Sequence, residues 1–437
     1  MCFNGYISPC MAIIKPFIAQ HFSPNIGDLS ELVAPPYDVL SPEEREHYAN
    51  KSPYNTVWLT LPESLPDDRS KFVKYARSAS RLAEWRREGV LNVDSNPGLY
   101  RYTQTFKHPI TQKEHTRTSL ICLLKLEPYE NGIVLPHEQT FPKHKEDRLR
   151  LLEATRSHLE CIYGLYADEP GAVEKAIENA KFEHLRSVRT PDGVIHDLYR
   201  CTDENANSEI AQAMQNEKIW IADGHHRYET ALNYRNQMKN VSGEIPEDYM
   251  MIALSGMRDP GLIILPTHRI ITKCGIPQTE IANRLRTFFH VKQMGNNELI
   301  EEVRHINNPK NRIFGIILPP ETGYLALMTD ADEALNLIKE EMSDLLKELD
   351  VTILHEVILK RVFEIESPDL LEFTRSAEEA VNKVESGERP AAILTNPPSV
   401  SDMRKIAESG EKMPQKSTYY YPKLLSGLVF WSLSDFK

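Results

Sequence analysis

At 437 residues, with about 100–200 residues to a domain, the chain is long enough for roughly three domains. Hydrophobic residues make up 41% and charged residues 26%, a composition that builds a buried core. Lys and Arg number 51 against 63 Asp and Glu, a formal net charge of −12. That balance excludes a general nucleic-acid-coating role, because such affinity rests on Lys and Arg neutralising phosphates.

No membrane partner is expected either. The most apolar stretches, such as Gly261–Pro266 (GLIILP), fall well short of the roughly 18–20 residues a membrane helix needs. The opening MCFNGYISPCMAIIKPF has no basic segment ahead of an apolar core, so no secretory leader is expected. Residues 1–10 read as an extension ahead of Met11. The six cysteines (Cys2, Cys10, Cys122, Cys161, Cys201, Cys274) are scattered without a CxxC pair. They read as reduced thiols of a cytoplasmic chain.

In chain order, the region 11–128 begins with a short strand over Ala12–Phe17. The loop VAPPYDVLSPEE follows, then a helix from Pro42 that Ser41 caps, with Glu43 and Glu44 in its first turn. Ser70–Glu88 carries Phe72, Tyr75, Ala76, Ala79, Leu82 and Trp85 at helical spacing. Gly98–Gln104 and Ser119–Leu126 read as strands. The region 129–275 alternates strands (Gly132–Leu135, Glu160–Tyr166, Lys218–Ala222, Tyr249–Leu254, Leu262–Leu265) with helices beginning near Lys145 and running from His226 to Met238. This alternation predicts an α/β (mixed α+β) fold. The region 276–437 mixes helices (Asp332–Asp350, Leu354–Phe363) with strands such as Arg312–Leu318 and Ala391–Thr395, so the two flanking regions read as α+β.

The strongest chemical signal follows the strand Lys218–Ala222. Asp223-Gly224-His225-His226-Arg227 forms the turn into the next helix. Gly224 permits a tight turn and close approach of a ligand. The first helical amides, at about His225 to Arg227, lack intrahelical partners and lie at the positive end of the helix dipole, which makes an anion site. Arg227 adds a planar fork of donors, and the histidines add more. Asp223 has three candidate roles: capping the helix, holding a histidine, or binding a hydrated metal ion. The alternative is a plain capped turn with surface histidines. Adjacent His225 and His226 project about 100° apart, which argues against a zinc pair.

A second constellation is Pro136-His137-Glu138-Gln139-Thr140, followed by Lys143, Lys145, Glu146, Asp147 and Arg148. Glu138 follows a strand, where a carboxylate can act as general base or hold a substrate amine; a solvated loop carboxylate is the competing reading. Three segments carry weaker signals. APPYDVL places Tyr37 and Asp38 on a Pro-fixed loop, LPTHRI sets His268 and Arg269 after a strand, and Lys416-Ser417-Thr418 precede three tyrosines. His268 and Arg269 read equally as a surface pair or as a phosphate or carboxylate contact. Lys416 and Ser417 read as an anion ligand or a solvated loop. The chain has no GxxxxGK[ST] P-loop, no kinase-type Gly-rich loop and no GxGxxG.

The ordered segments PPYDVLSPEE, PHEQTFPKHKEDR, IADGHHRYETA, LPTHRII, LDVTILHE and MPQKSTYYYPKLLSGL together resemble the domain-of-unknown-function 1015 family over nearly the whole chain from Met11. More distantly, the PHE box followed by DGHHR is similar to the ParB/sulfiredoxin-like nucleotide-binding superfamily, which includes free-serine kinases, sulfiredoxins and ParB-type CTPases. The second resemblance covers only the central region 129–275. It implies that Gly224, His225, His226 and Arg227, with Asp223, bind nucleotide phosphates of ATP or ADP. Glu138 then takes a hydroxyl proton, with His226 and Arg227 among the catalytic groups and Mg²⁺ as cofactor. His137, His268, Arg269, Lys416 and Ser417 are the expected substrate-binding residues. The turn lacks a sulfiredoxin-type cysteine, and no helix-turn-helix of the ParB kind is evident. The implied function is a small-molecule kinase acting on a hydroxyl-bearing metabolite such as free serine. The rivals are a non-catalytic nucleotide or phosphometabolite sensor that regulates a partner protein, and a hydrolase using the same anion site. Oligomeric state is left open.

Overall fold

The computed structural model describes residues 12–140, 142–238, 241–305, 312–328, 336–338, 342–414 and 416–436. The expected extension over residues 1–10 lies outside them. The chain divides into two compact units. One comprises residues 1–136, 140–263 and 422–437; the other comprises 137–139 and 264–421. Both mix helices and strands, the α/β class expected from the sequence.

The first unit is built on a mixed sheet of nine strands among the described residues. Its order runs Val134–Leu135, Ile219–Asp223, Ile162–Tyr166, Tyr249–Gly256, Glu114–Lys125, Leu99–Lys107, Ile195–Cys201 and Glu183–Arg189. Ile14–Lys15 also pairs with Glu114–Lys125. The pairings of Ile219–Asp223 with Val134–Leu135 and of Tyr249–Gly256 with Ile162–Tyr166 are parallel; the other pairings are antiparallel. Ile162–Tyr166 is buried throughout and Ile219–Asp223 is buried up to its last residue, as central strands covered on both faces must be. Helices Pro142–Thr155 and His225–Gln237 pack against each other, and Val73–Arg87 packs on the former. Tyr75, Leu82, Trp85, Leu151, Leu159 and Phe430 share one core cluster. Pro42–Lys51 begins as expected: the Ser41 hydroxyl accepts from the Glu44 amide at 3.2 Å, and the Glu44 carboxylate accepts from the Ser41 amide at 2.8 Å.

The second unit holds an antiparallel sheet of six strands among the described residues, ordered His290–Met294, Thr322–Met328, Arg312–Leu318, Ala391–Thr395, His268–Ile271 and Leu371–Thr374. Ile271, Phe314, Ile316, Ala391 and Ile393 join Leu354, Val357 and Ile358 in one core. Ile270, Ile313, Ile317, Ala392 and Leu394 belong to another with Leu299, Ala380 and Val384. Alternate strand residues thus feed opposite faces.

Several elements differ from expectation. Leu354–Val362 is helical as expected but adopts the wider π form. Where the region 332–350 is described, it contains a short helix at Asp344–Lys347, with another turn at Asp350–Ile353; residues 329–335 and 339–341 lie outside the described set. The expected strand Leu262–Leu265 shortens to Ile263–Ile264. No helix among the described residues is long and apolar enough to cross a membrane.

Candidate functional site

In the first unit, the predicted strand, turn and helix are all present. Ile219–Asp223 ends at Gly224, and the helix His225–Gln237 starts immediately. Gly224 has φ +92°, and a Cβ placed on it would lie 2.6 Å from Ile162 Cγ2 and 3.1 Å from Arg227 Nη2. Both the left-handed backbone and the closeness of Ile162 require glycine. Gly224 itself is the N-cap, and no side chain caps the helix. Of the three roles open to Asp223, capping is excluded: its carboxylate accepts from Lys423 Nζ at 3.0 Å. Burial alone would raise the Asp223 pKa, but Lys423, Arg227 and His225 outweigh it and hold the carboxyl well below the ordinary range.

Arg227 leaves the first helical turn with its guanidinium held from several sides. Nη1 donates to the Cys161 carbonyl at 2.6 Å, and the cation stands 5.7 Å from the Tyr37 ring centre. Burial would lower its pKa, yet Glu160, Asp38 and Asp223 together raise it, so it stays charged. Glu160 is buried; its Oε1 accepts from the Tyr37 amide at 3.1 Å and the Ser426 hydroxyl at 2.8 Å. Arg148 stands 4.0 Å from the Tyr37 ring centre, and its Nη1 donates to the Thr60 carbonyl at 2.8 Å. Burial, reinforced by Asp38, pushes the Tyr37 phenol up, so it remains protonated. Burial likewise pushes the Cys161 thiol up to about 12, which rules out a thiolate nucleophile at neutral pH. A cavity of about 60 Å³ is lined by Arg148, Ser157, His158, Glu160, Arg227 and Thr230, with apolar neighbours.

The PPYDV loop and the closing PKLLSG segment thus bring Tyr37, Asp38, Lys423 and Ser426 to the DGHHR turn. Lys423 and Glu160 had no local signal. Their partners lie 200 and 266 residues away, beyond the reach of any short motif.

The second unit collects the other predicted residues. Glu138 Oε1 accepts from Thr418 twice, from the amide at 3.0 Å and the hydroxyl at 2.9 Å. The Thr418 hydroxyl has one proton and gives it to Glu138, so at 2.9 Å it accepts from His137 Nε2. His137 is fully buried and serves the Glu138–Thr418 pair. His268 and Arg269 are both buried, so the surface-pair reading is corrected. His268 Nδ1 accepts from the Thr395 amide at 3.2 Å, and burial together with Arg269 and Arg304 pushes its pKa down to about 3. Arg269 donates to the Thr267 and Lys416 carbonyls. The Ser417 hydroxyl is taken by the Pro414 carbonyl at 2.5 Å. Lys416 contributes its carbonyl, while its residue surface is exposed.

Two sets of catalytic and binding candidates therefore exist, one in each unit. The chain belongs to the family described as protein of unknown function (DUF1015), whose model matches residues 14–352. No curated protein matches it in sequence. Among solved structures, it is similar to a free serine kinase in complex with AMP (14% identity, 66% of this chain and 84% of that one, TM-score 0.33). It is similar also to a conserved hypothetical protein from Pyrococcus furiosus (15%, 70% and 94%, TM-score 0.34). A third likeness is to SbnI with C-terminal truncation from Staphylococcus aureus (11%, 70% and 85%, TM-score 0.34).

Proposed function

We propose that the chain binds a nucleotide, ATP or ADP, with its phosphates at the start of the helix His225–Gln237. We propose further that it transfers a phosphoryl group to a small hydroxyl-bearing metabolite, with free serine as the first acceptor to test. The observation that carries this reading is the helix start itself. It follows a glycine that nothing larger can replace, and no side chain caps it. Its opening amides and dipole favour an anion in front of them. Arg227, kept charged by Glu160, Asp38 and Asp223, keeps its guanidinium at the same turn.

Glu138 is the proposed base. A carboxylate with one oxygen fixed by two donors is held in a single orientation, as a base must be. The acceptor oxygen forms a bond to phosphorus while the bond to the leaving nucleotide phosphate breaks, and the hydroxyl proton passes to a general base, the role that the resemblance of the PHE box to the serine kinases gives to Glu138. Among the described residues, no cluster of three or more His, Cys, Asp or Glu forms a metal cage. A Mg²⁺ bound mainly by nucleotide phosphates needs only one or two protein carboxylates. Asp223, held ionised beside the turn, fits that requirement, and the ion would offset phosphoryl charge when bound.

The test is turnover by the purified protein with ATP, ADP or CTP, Mg²⁺ and pooled amino acids. Acceptor-dependent turnover giving a phosphorylated product supports the kinase reading. Binding without turnover supports the sensor, and acceptor-independent release of phosphate supports the hydrolase. Glu138→Gln is expected to lower turnover by about 10²-fold or more, the usual worth of a general base, with nucleotide affinity unchanged. Equal turnover in both proteins contradicts the role of Glu138.

A further inference from the structure

We propose that the second unit carries a site for a small carboxylate, formed by Arg269, Arg375 and His355. The proposal does not depend on where the nucleotide binds.

The strand register places these residues together. Arg269 pairs directly with Phe373 and with Ile393 across the antiparallel sheet. Directly opposed residues share a face, and so do residues two apart. Arg375 follows Phe373 by two positions, one residue past the strand Leu371–Thr374, and its charge acts on Arg269. Ile271 and Ile393 lie on that face, and they pack with Leu354, Val357 and Ile358 of the π-helical segment. That segment carries His355 onto the same side of the sheet. Electrostatics agree with the topology: Arg375 and Glu138 both act on Arg269, and Arg269 acts on His355.

The chemistry of the three groups points to a ligand. Arg269 is 2% exposed, yet among the described residues its cation has no carboxylate within ion-pair distance, and it donates to two backbone carbonyls. Its Nε, the Arg375 Nε and the His355 Nε2 are all buried without a hydrogen-bond partner. Orphaned guanidinium Nε atoms recur elsewhere in the chain. Here three orphaned nitrogens come from three segments whose charges act on one another through Arg269, and a wide π turn supplies one of them. Such turns recur where function requires a displaced side chain. Leaving buried donors unmet is costly, and an acceptor-rich guest removes that cost.

The charge count selects the guest. Arg269 and Arg375 contribute two positive charges and Glu138 one negative charge. Burial, with Arg269 and Lys360, pushes the His355 pKa down to about 3, so its imidazole is neutral and supplies one donor without charge. The net surplus is one positive charge, which matches a monoanion with planar, bidentate oxygens, that is, a carboxylate and not a phosphate dianion.

The experiment is calorimetric titration of the full chain with glycolate and with inorganic phosphate, for the wild type, Arg375→Met and His355→Gln. Circular dichroism of each variant serves as a folding control. The expected result is glycolate binding by the wild type that weakens about tenfold or more in each variant, since a hydrogen bond to a charged group is worth that much. Any phosphate binding should be unchanged in the variants. If Arg375→Met fails to fold, His355→Gln, whose residue lies on the π-helical segment and not in the sheet, carries the comparison. Absence of glycolate binding to the wild type overturns the proposal. So does equal binding by folded variants, or phosphate displacing glycolate from the site.

Discussion

At the residue scale, Gly224 shows how one hydrogen in place of a methyl group decides a site. Its φ of +92° and the Ile162 side chain 2.6 Å from a would-be Cβ make Gly224→Ala costly twice over, through backbone strain and through overpacking. The expected loss is about 2–5 kcal/mol of stability, together with loss of nucleotide binding. Urea denaturation measures the first and calorimetry the second; a variant as stable as the wild type would show that the turn relaxes easily. This glycine was legible in the sequence because turn, cap and helix start are all local. The pairing of Asp223 with Lys423 and of Glu138 with Thr418 was not legible, since 200 and 280 residues separate the partners. The surroundings of Ser417 and Lys416 were not legible for a related reason. A hydroxyl or ammonium in a polar loop reads alike whether it meets a ligand or its own backbone, and here Ser417 meets the Pro414 carbonyl.

At the element scale, periodicity located the buried strands and the amphipathic helices well. Val73–Arg87 starts three residues after the expected Ser70 because Ser70 caps the preceding turn, its hydroxyl accepting from the Phe72 amide. The strands Glu183–Arg189 and Ile195–Cys201 escaped notice. Glu183–Arg189 is the edge strand of the nine-stranded sheet and mostly polar, and Ile195–Cys201 beside it interleaves His196, Asp197 and Arg200 with its apolar residues, so the alternation is faint. The second of them carries a titration prediction. His196, which contacts the Tyr102 hydroxyl at 2.6 Å, and His158 on Ser157–His158 are both pushed by burial from 6.5 down to about 4. The unfolded chain then binds protons that the folded chain does not. Their contribution to stability is fully present above pH 6.5 and is lost as pH falls towards 4. Each contributes a slope of at most about 1.4 kcal/mol per pH unit in that window. Denaturation midpoints followed between pH 7 and pH 4.5 should fall, and His196→Asn should make the decline shallower; an unchanged decline would place the titration elsewhere.

At the scale of the whole molecule, the chain crosses between its two units more than once. The segment 137–139 belongs with 264–421, and the closing segment 422–437 returns to the first unit, where Phe430 and Trp431 are fully buried and Lys423 and Ser426 meet the candidate site. This explains why the candidate segments of the sequence are scattered from end to end, although each unit gathers its own set. The α/β class could be read from the alternation of elements, whereas the crossings follow from long-range packing that no local pattern encodes. The account's central claim is that nucleotide phosphates sit at the helix that follows Gly224. Hydrogen–deuterium exchange of the intact chain, with and without ATP, tests it most directly. The account predicts slowed exchange at the amides of His225, His226 and Arg227 when ATP is bound. ATP binding that protects other segments and leaves these amides unchanged would contradict it.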